Sequence, residues 1–169
     1  MNEKIRKESL LKVKQNGFNL RFLKYQTEEI CLAAVRNEWS SLEFVKNQTE
    51  EICLAAVHND SWAIEFVENP TEKIYYECLK WDGYMLSFVK DKTEKLCLFA
   101  VEQDGMAIQY VDNQTVKLCL VAVKQDWLAL KYVKNQTYEI CLAAIQEDVR
   151  AFKFIKDETY KSRLKEFIK

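Results

Sequence analysis

Apolar residues recur along the chain in two alternating run lengths. A longer run such as Ile30-Cys31-Leu32-Ala33-Ala34-Val35 follows a polar lead, Gln26-Thr27-Glu28-Glu29. A shorter run such as Leu130-Lys131-Tyr132-Val133 follows after a polar corner. The segment QTEEICLAAV stands at 26–35 and again at 48–57, and QTYEICLAAI stands at 136–145, so the pattern has a period of 22 residues. Six ungapped repeats start at 26, 48, 70, 92, 114 and 136. Residues 4–25 form a degenerate earlier copy and 158–169 the first half of another. Fixed periods of this size belong to arrays in which each repeat buries its apolar face on its neighbours.

Positions within a repeat are counted from its first residue, the glutamine of 26–47. Position 2 is Thr, a helix N-cap, and charged residues follow it. The spacing predicts a first helix over positions 3–12, with an apolar arc at positions 5, 6, 7, 9 and 10. Position 13 is Asp or Asn in most repeats, and Gly17, Gly83 and Gly105 all stand at position 14, where a left-handed helix end is expected. A shorter helix follows, with positions 16, 17, 19 and 20 on its apolar face. The fold class is therefore all-α, a solenoid of stacked two-helix repeats forming one domain, with 1–25 and 158–169 as caps. A leucine-rich repeat also runs at this length, but it needs alternating leucines on a strand, which the alanine-rich run lacks. At the ends, Glu8, Lys12, Ser162, Arg163 and Glu166 replace apolar residues, as the polar outer faces of a complete array require.

Five cysteines, Cys31, Cys53, Cys97, Cys119 and Cys141, share position 6. Equivalent atoms of packed helices lie roughly 8–10 Å apart, too far for a disulfide, so a ladder of buried free thiols is expected. One histidine, His58, cannot build a zinc site, and it is read as a surface residue. Neither a metal nor a cofactor is expected. The Asn-Gln-Thr sequons at 47, 113 and 135 read as a turn residue before a helix cap.

The net charge is −1, but residues 1–25 carry seven Lys or Arg against two acids, while repeat 48–69 carries five acids and no Lys or Arg. That makes nucleic acid an unfavoured partner and leaves the basic N-terminal end as its only plausible contact. No stretch has the length of a membrane span and the start lacks a signal core, so a cytoplasmic protein is expected.

The recurring strings TEEICLAAV (27–35) and ALKYVKNQT (129–137) closely resemble a short repeat of giant DNA viruses and some bacteria whose function is unknown. The resemblance covers 26–157 and implies a helical repeat fold, with host-cell cytoplasm as the location for a viral member. It carries over no catalytic residue. Repeat 70–91 departs most, reading Tyr75-Tyr76-Glu77-Cys78.

The chain has no phosphate-cradling loop, nucleophile elbow or metal cluster, and the expectation is a non-enzymatic scaffold for protein–protein interaction, partner unknown. Alternatives are nucleic-acid binding by the basic end and an effector activity centred on 70–91. Position 8 varies beside a nearly fixed Leu at position 7, with Glu77 and Phe99 among its occupants, and is assigned to solvent or a partner. Glu77 reads as part of a solvated stripe with Lys73 and Lys80. Position 15 supplies Trp62, Tyr84, Met106 and Leu128, which form either a partner-binding stripe or a set of plugs over the end of the first helix.

Overall fold

The computed structural model describes residues 2–168, and every regular element among them is helical. The α-helices are α1 (Glu3–Gln15), α2 (Glu28–Asn37), α3 (Glu50–Asn59), α4 (Glu72–Leu79), α5 (Glu94–Gln103), α6 (Val116–Gln125), α7 (Tyr138–Glu147) and α8 (Glu158–Leu164). Helices α2, α3, α5, α6 and α7 cover positions 3–12, and their threonines accept from the N–H three residues on, as Thr137 does from Ile140 at 3.3 Å. In the last half-repeat the cap moves to Asp157, whose carboxylate accepts from Thr159 and Tyr160.

The second helix is a 3-10 helix over positions 14–19, such as Trp127–Tyr132, rather than an α-helix. Six residues are too few for cooperative α-turns, and both ends are tied with three-residue geometry. Asp126 Oδ1 accepts from Leu128 N–H at 2.9 Å, and Val133 N–H donates to the Leu130 carbonyl at 3.3 Å. As Asp or Asn, position 13 thus caps the second helix with its side chain and closes the first with its backbone, as Asp126 N–H does on Ala122 at 2.9 Å; Glu38 closes α2 but makes no side-chain cap. The extended backbone of position 13 turns the chain by itself.

The expected left-handed glycine is accordingly absent: none of the described residues has positive φ. Glycine at position 14 answers to close packing. A Cβ on Gly105 would stand 2.5 Å from the Ala122 carbonyl oxygen, and one on Gly17 would stand 2.6 Å from that of Ala34.

Positions 5, 6, 9 and 10 of the first helix pack inward with positions 16, 17 and 20 of the second, as Ile140, Cys141, Ala144, Ile145, Ala151 and Ile155 do. Alanine at position 9 is fully buried at Ala34, Ala56, Ala100, Ala122 and Ala144, which lets successive helices approach closely. Position 7 differs from expectation. Leu32, Leu54, Leu98, Leu120 and Leu142 are half-buried, at the edge of the core rather than within it.

The repeated glutamine has a structural role that its position in the pattern did not reveal. Gln136 donates from Nε2 to the carbonyls of Leu130 and Phe154, each at 3.0 Å, and accepts at Oε1 from Lys156 N–H at 2.9 Å. Gln26 and Gln114 make the same three bonds. One amide therefore joins the ends of two successive 3-10 helices and satisfies three backbone groups.

The chain divides into two compact units, Met1–Cys78 and Leu79–Lys169, and the division falls inside repeat 70–91.

Candidate functional site

In the first unit, the outward face of the α-helices is built from positions 4, 7, 8 and 11. Leucine at position 7 and alanine at position 8 leave a shallow apolar floor, since alanine ends at Cβ where a larger residue would fill the space. Leu10, Leu32 and Ala33 floor a groove of about 420 Å³. Leu54 and Ala55 floor a second of about 680 Å³, and Arg36 borders both. One wall is basic, with Lys14, Arg36 and His58 at position 11. The other is acidic, with Glu29 and Glu51 at position 4.

Several of these charges already have partners. Arg6 bonds both Glu3 and Glu29, Lys73 reaches Glu50 at 3.7 Å, and His58 Nε2 meets Glu77 Oε2 at 3.0 Å. Lys14, Arg36 and Glu51 have no ion pair among the described residues. Groove binding can therefore use three side chains without breaking a salt bridge first.

The predicted site residues are placed as follows. Glu77 has a side chain only 19% exposed and faces His58, so it is less solvated than the stripe reading expected, and Lys73 turns to Glu50 instead. Phe99 is half-buried on α5. Trp62, in the first unit, is 40% exposed. In the second unit Tyr84 is also 40% exposed, whereas Met106 and Leu128 are half-buried. Tyr84 packs edge-on against Tyr110 at 5.2 Å between centroids and against Phe88 at 6.2 Å.

A second feature lay outside the sequence reading: position 19 is aromatic in every repeat from Phe22 to Phe154. From Phe44 to Phe154 these rings are half-buried on the face of the 3-10 helices, whereas the pattern had placed them in the core. Phe44, Phe66, Tyr110 and Phe154 are each met by the bulky corner residue of the preceding repeat, from position 14 or 15. Phe18 meets Phe44 at 6.2 Å, Trp39 meets Phe66 at 6.0 Å and Trp127 meets Phe154 at 6.1 Å. The invariance of position 19 was visible in the sequence. Its half-exposure was not, because a 3-10 helix sets its phase.

The cysteines are all free and buried. Burial pushes the thiols of Cys31, Cys53 and Cys141 up to about 11 and that of Cys78 up to about 12, so none is a ready nucleophile. Among the described residues no group of His, Cys, Asp and Glu side chains could hold a metal ion, and no helix is long and apolar enough to cross a membrane. The basic end has its two arginines engaged: Arg6 with carboxylates, and Arg21 over the rings of Phe22 and Phe44, at 5.2 Å from each.

Comparison of the chain with known families, curated proteins and solved structures finds no match.

Proposed function

We propose that the protein is a non-enzymatic, cytoplasmic scaffold that binds another protein through the groove of its first unit. The observation carrying this reading is the pairing of an apolar floor, Leu10, Leu32 and Leu54, with the unpaired charges Lys14, Arg36 and Glu51 on opposite walls. Burying half-covered leucines supplies affinity, and oppositely charged walls fix the orientation of the bound element. The leucines come once per repeat, so their spacing follows the distance between packed helices, roughly 8–10 Å. Residues seven apart on a partner helix rise by about 10.5 Å and match it. An amphipathic helix laid across α1, α2 and α3 fits this spacing, with acids toward Lys14 and Arg36 and bases toward Glu51.

The test is affinity capture from the native cell with the wild-type chain and with Leu32→Glu/Leu54→Glu. Both substitutions lie on half-exposed positions, and an unchanged circular-dichroism melt verifies the fold. A partner retained by the wild type and lost by the variant supports the reading. Equal retention of every captured protein by both chains refutes it.

A further inference from the structure

The two tryptophan–phenylalanine pairs on the 3-10 face stand four repeats apart and repeat each other's geometry. Trp127–Phe154 has centroids 6.1 Å apart and an interplanar angle of 28°. Trp39–Phe66 has 6.0 Å and 35°. Their surroundings differ. Over Trp127 lie the Arg150 guanidinium at 4.9 Å and the Lys153 ammonium at 5.8 Å, and the same ammonium stands 4.8 Å from the Phe154 centroid. The residues in those registers on the first pair are Trp62 and Glu65. Glu43 stands in the row of Glu65, one repeat earlier. Among the described residues, no cation lies over Trp39 or Phe66, and neither Glu43 nor Glu65 has an ion pair.

We infer that Trp39 and Phe66, with Glu65, form a docking point for an arginine or lysine side chain from a basic segment of a partner protein. The protein's own second unit shows which charge such a ring pair accepts: Arg150 and Lys153 occupy it there. Position 18 of the repeat is Arg21, Lys131 and Lys153 where a cation lies over the neighbouring ring, and Glu43, Glu65, Ser87 and Gln109 in between, so only the first two of these place a carboxylate there. Replacing the intramolecular cation by a carboxylate removes the internal occupant and adds a counter-charge for an external one. A ring face attracts a cation through its quadrupole, and an adjacent carboxylate holds the approaching charge. Repeat 48–69 contributes five acids and no Lys or Arg, so no basic side chain of that repeat competes for the place. The site lies on the 3-10 face and uses none of the groove residues, so the two proposals stand or fall separately.

The experiment uses the full chain and three labelled peptides of equal length: arginine–serine, lysine–serine and glutamine–serine repeats. Binding is read by fluorescence anisotropy and by quenching of tryptophan emission. The two basic peptides are expected to bind and the glutamine peptide not to bind. Glu65→Lys, which recreates the Lys153 arrangement, is expected to weaken binding by about tenfold or more, and Glu65→Gln by less. Glu8→Lys makes the same change of net charge far away in sequence and is expected to leave binding within about twofold. Thermal melts of the variants confirm folding, and Glu65→Gln serves should Glu65→Lys not fold. The idea is overturned if the basic peptides do not bind. It also fails if Glu65→Lys and Glu65→Gln bind as the wild type does, or if Glu8→Lys loses as much as Glu65→Lys, which would mean diffuse electrostatic attraction. Self-association of the peptide-free chain that Glu65→Lys abolishes would assign the face to a second copy and likewise overturn it.

Discussion

Helices α3 and α5 follow one plan and end with different surfaces. Both bury positions 5, 6, 9 and 10: Ile52, Cys53, Ala56 and Val57 on one, Leu96, Cys97, Ala100 and Val101 on the other. At position 8, α3 has Ala55 on a groove floor and α5 has Phe99. At position 18 the 3-10 helix after α3 has Glu65 and the one after α5 has Gln109, while the two repeats after that have Lys131 and Lys153. The two compact units thus share one frame and differ at positions the frame does not use. The hydrogen bonds that hold the frame come from nearly constant residues, which leaves positions 8 and 18 free to vary without unfolding the array.

The buried and half-buried leucines should separate most sharply. Leu130→Ala removes a fully buried side chain and is expected to cost about 3 kcal/mol. Leu54→Ala, on the groove floor, should cost about 1 kcal/mol, since its side chain is partly in water already. Urea denaturation with equal m-values tests this, and equal losses would place position 7 in the core after all.

Next in size is the glutamine. Gln136→Ala leaves the Leu130 and Phe154 carbonyls and the Lys156 N–H without their partner, at a cost of about 2 kcal/mol. The position is Pro70 and Lys92 in the two repeats around the boundary between units. Lys92→Gln is therefore expected to gain about 1 kcal/mol, measured as a higher urea midpoint. No gain there would mean that the three-bond geometry is specific to the other repeats.

Removing one corner cap is a smaller change. Asp126→Ala should cost about 1 kcal/mol through loss of the bond from Leu128 N–H. Exchanging the position-8 residues should do less still: Ala55→Phe is expected to shift stability by no more than about 0.5 kcal/mol, because the added ring has open groove to enter. A large loss would show that the floor is packed shut.

At neutral pH the smallest effect belongs to the thiols. Native Cys31, Cys53 and Cys141 should react with a thiol reagent only as fast as the chain opens. Their folded values of about 11 exceed the roughly 8.5 of an unfolded thiol, so the unfolded chain loses protons first as pH rises. Stability from this source is full below about pH 8.5 and is lost progressively as pH climbs toward about 11. Melting temperatures across that range check the sign. Rapid labelling at pH 8 would contradict the burial.

Sequence alone determined the period, the first helix over positions 3–12, its threonine cap and the buried cysteine ladder. Each follows from local chemistry: a cap needs only its own helix, and an apolar run at helical spacing has one way to hide. Tertiary structure decided the rest. The corner turns through an extended position 13 rather than a left-handed glycine, because an Asp or Asn there closes one helix and caps the next. Gly105 is there because the Ala122 carbonyl approaches, a contact between residues 17 apart in the chain. The glutamine read as part of a helix lead, yet its bonds run to Leu130 and Phe154, six and 18 residues away. Position 7 stands at the edge of the core on the α-helix itself, and position 19 reached the surface because the second helix is 3-10. Its three-residue turn rotates the side chains to a phase that an α-helical reading of the pattern does not give.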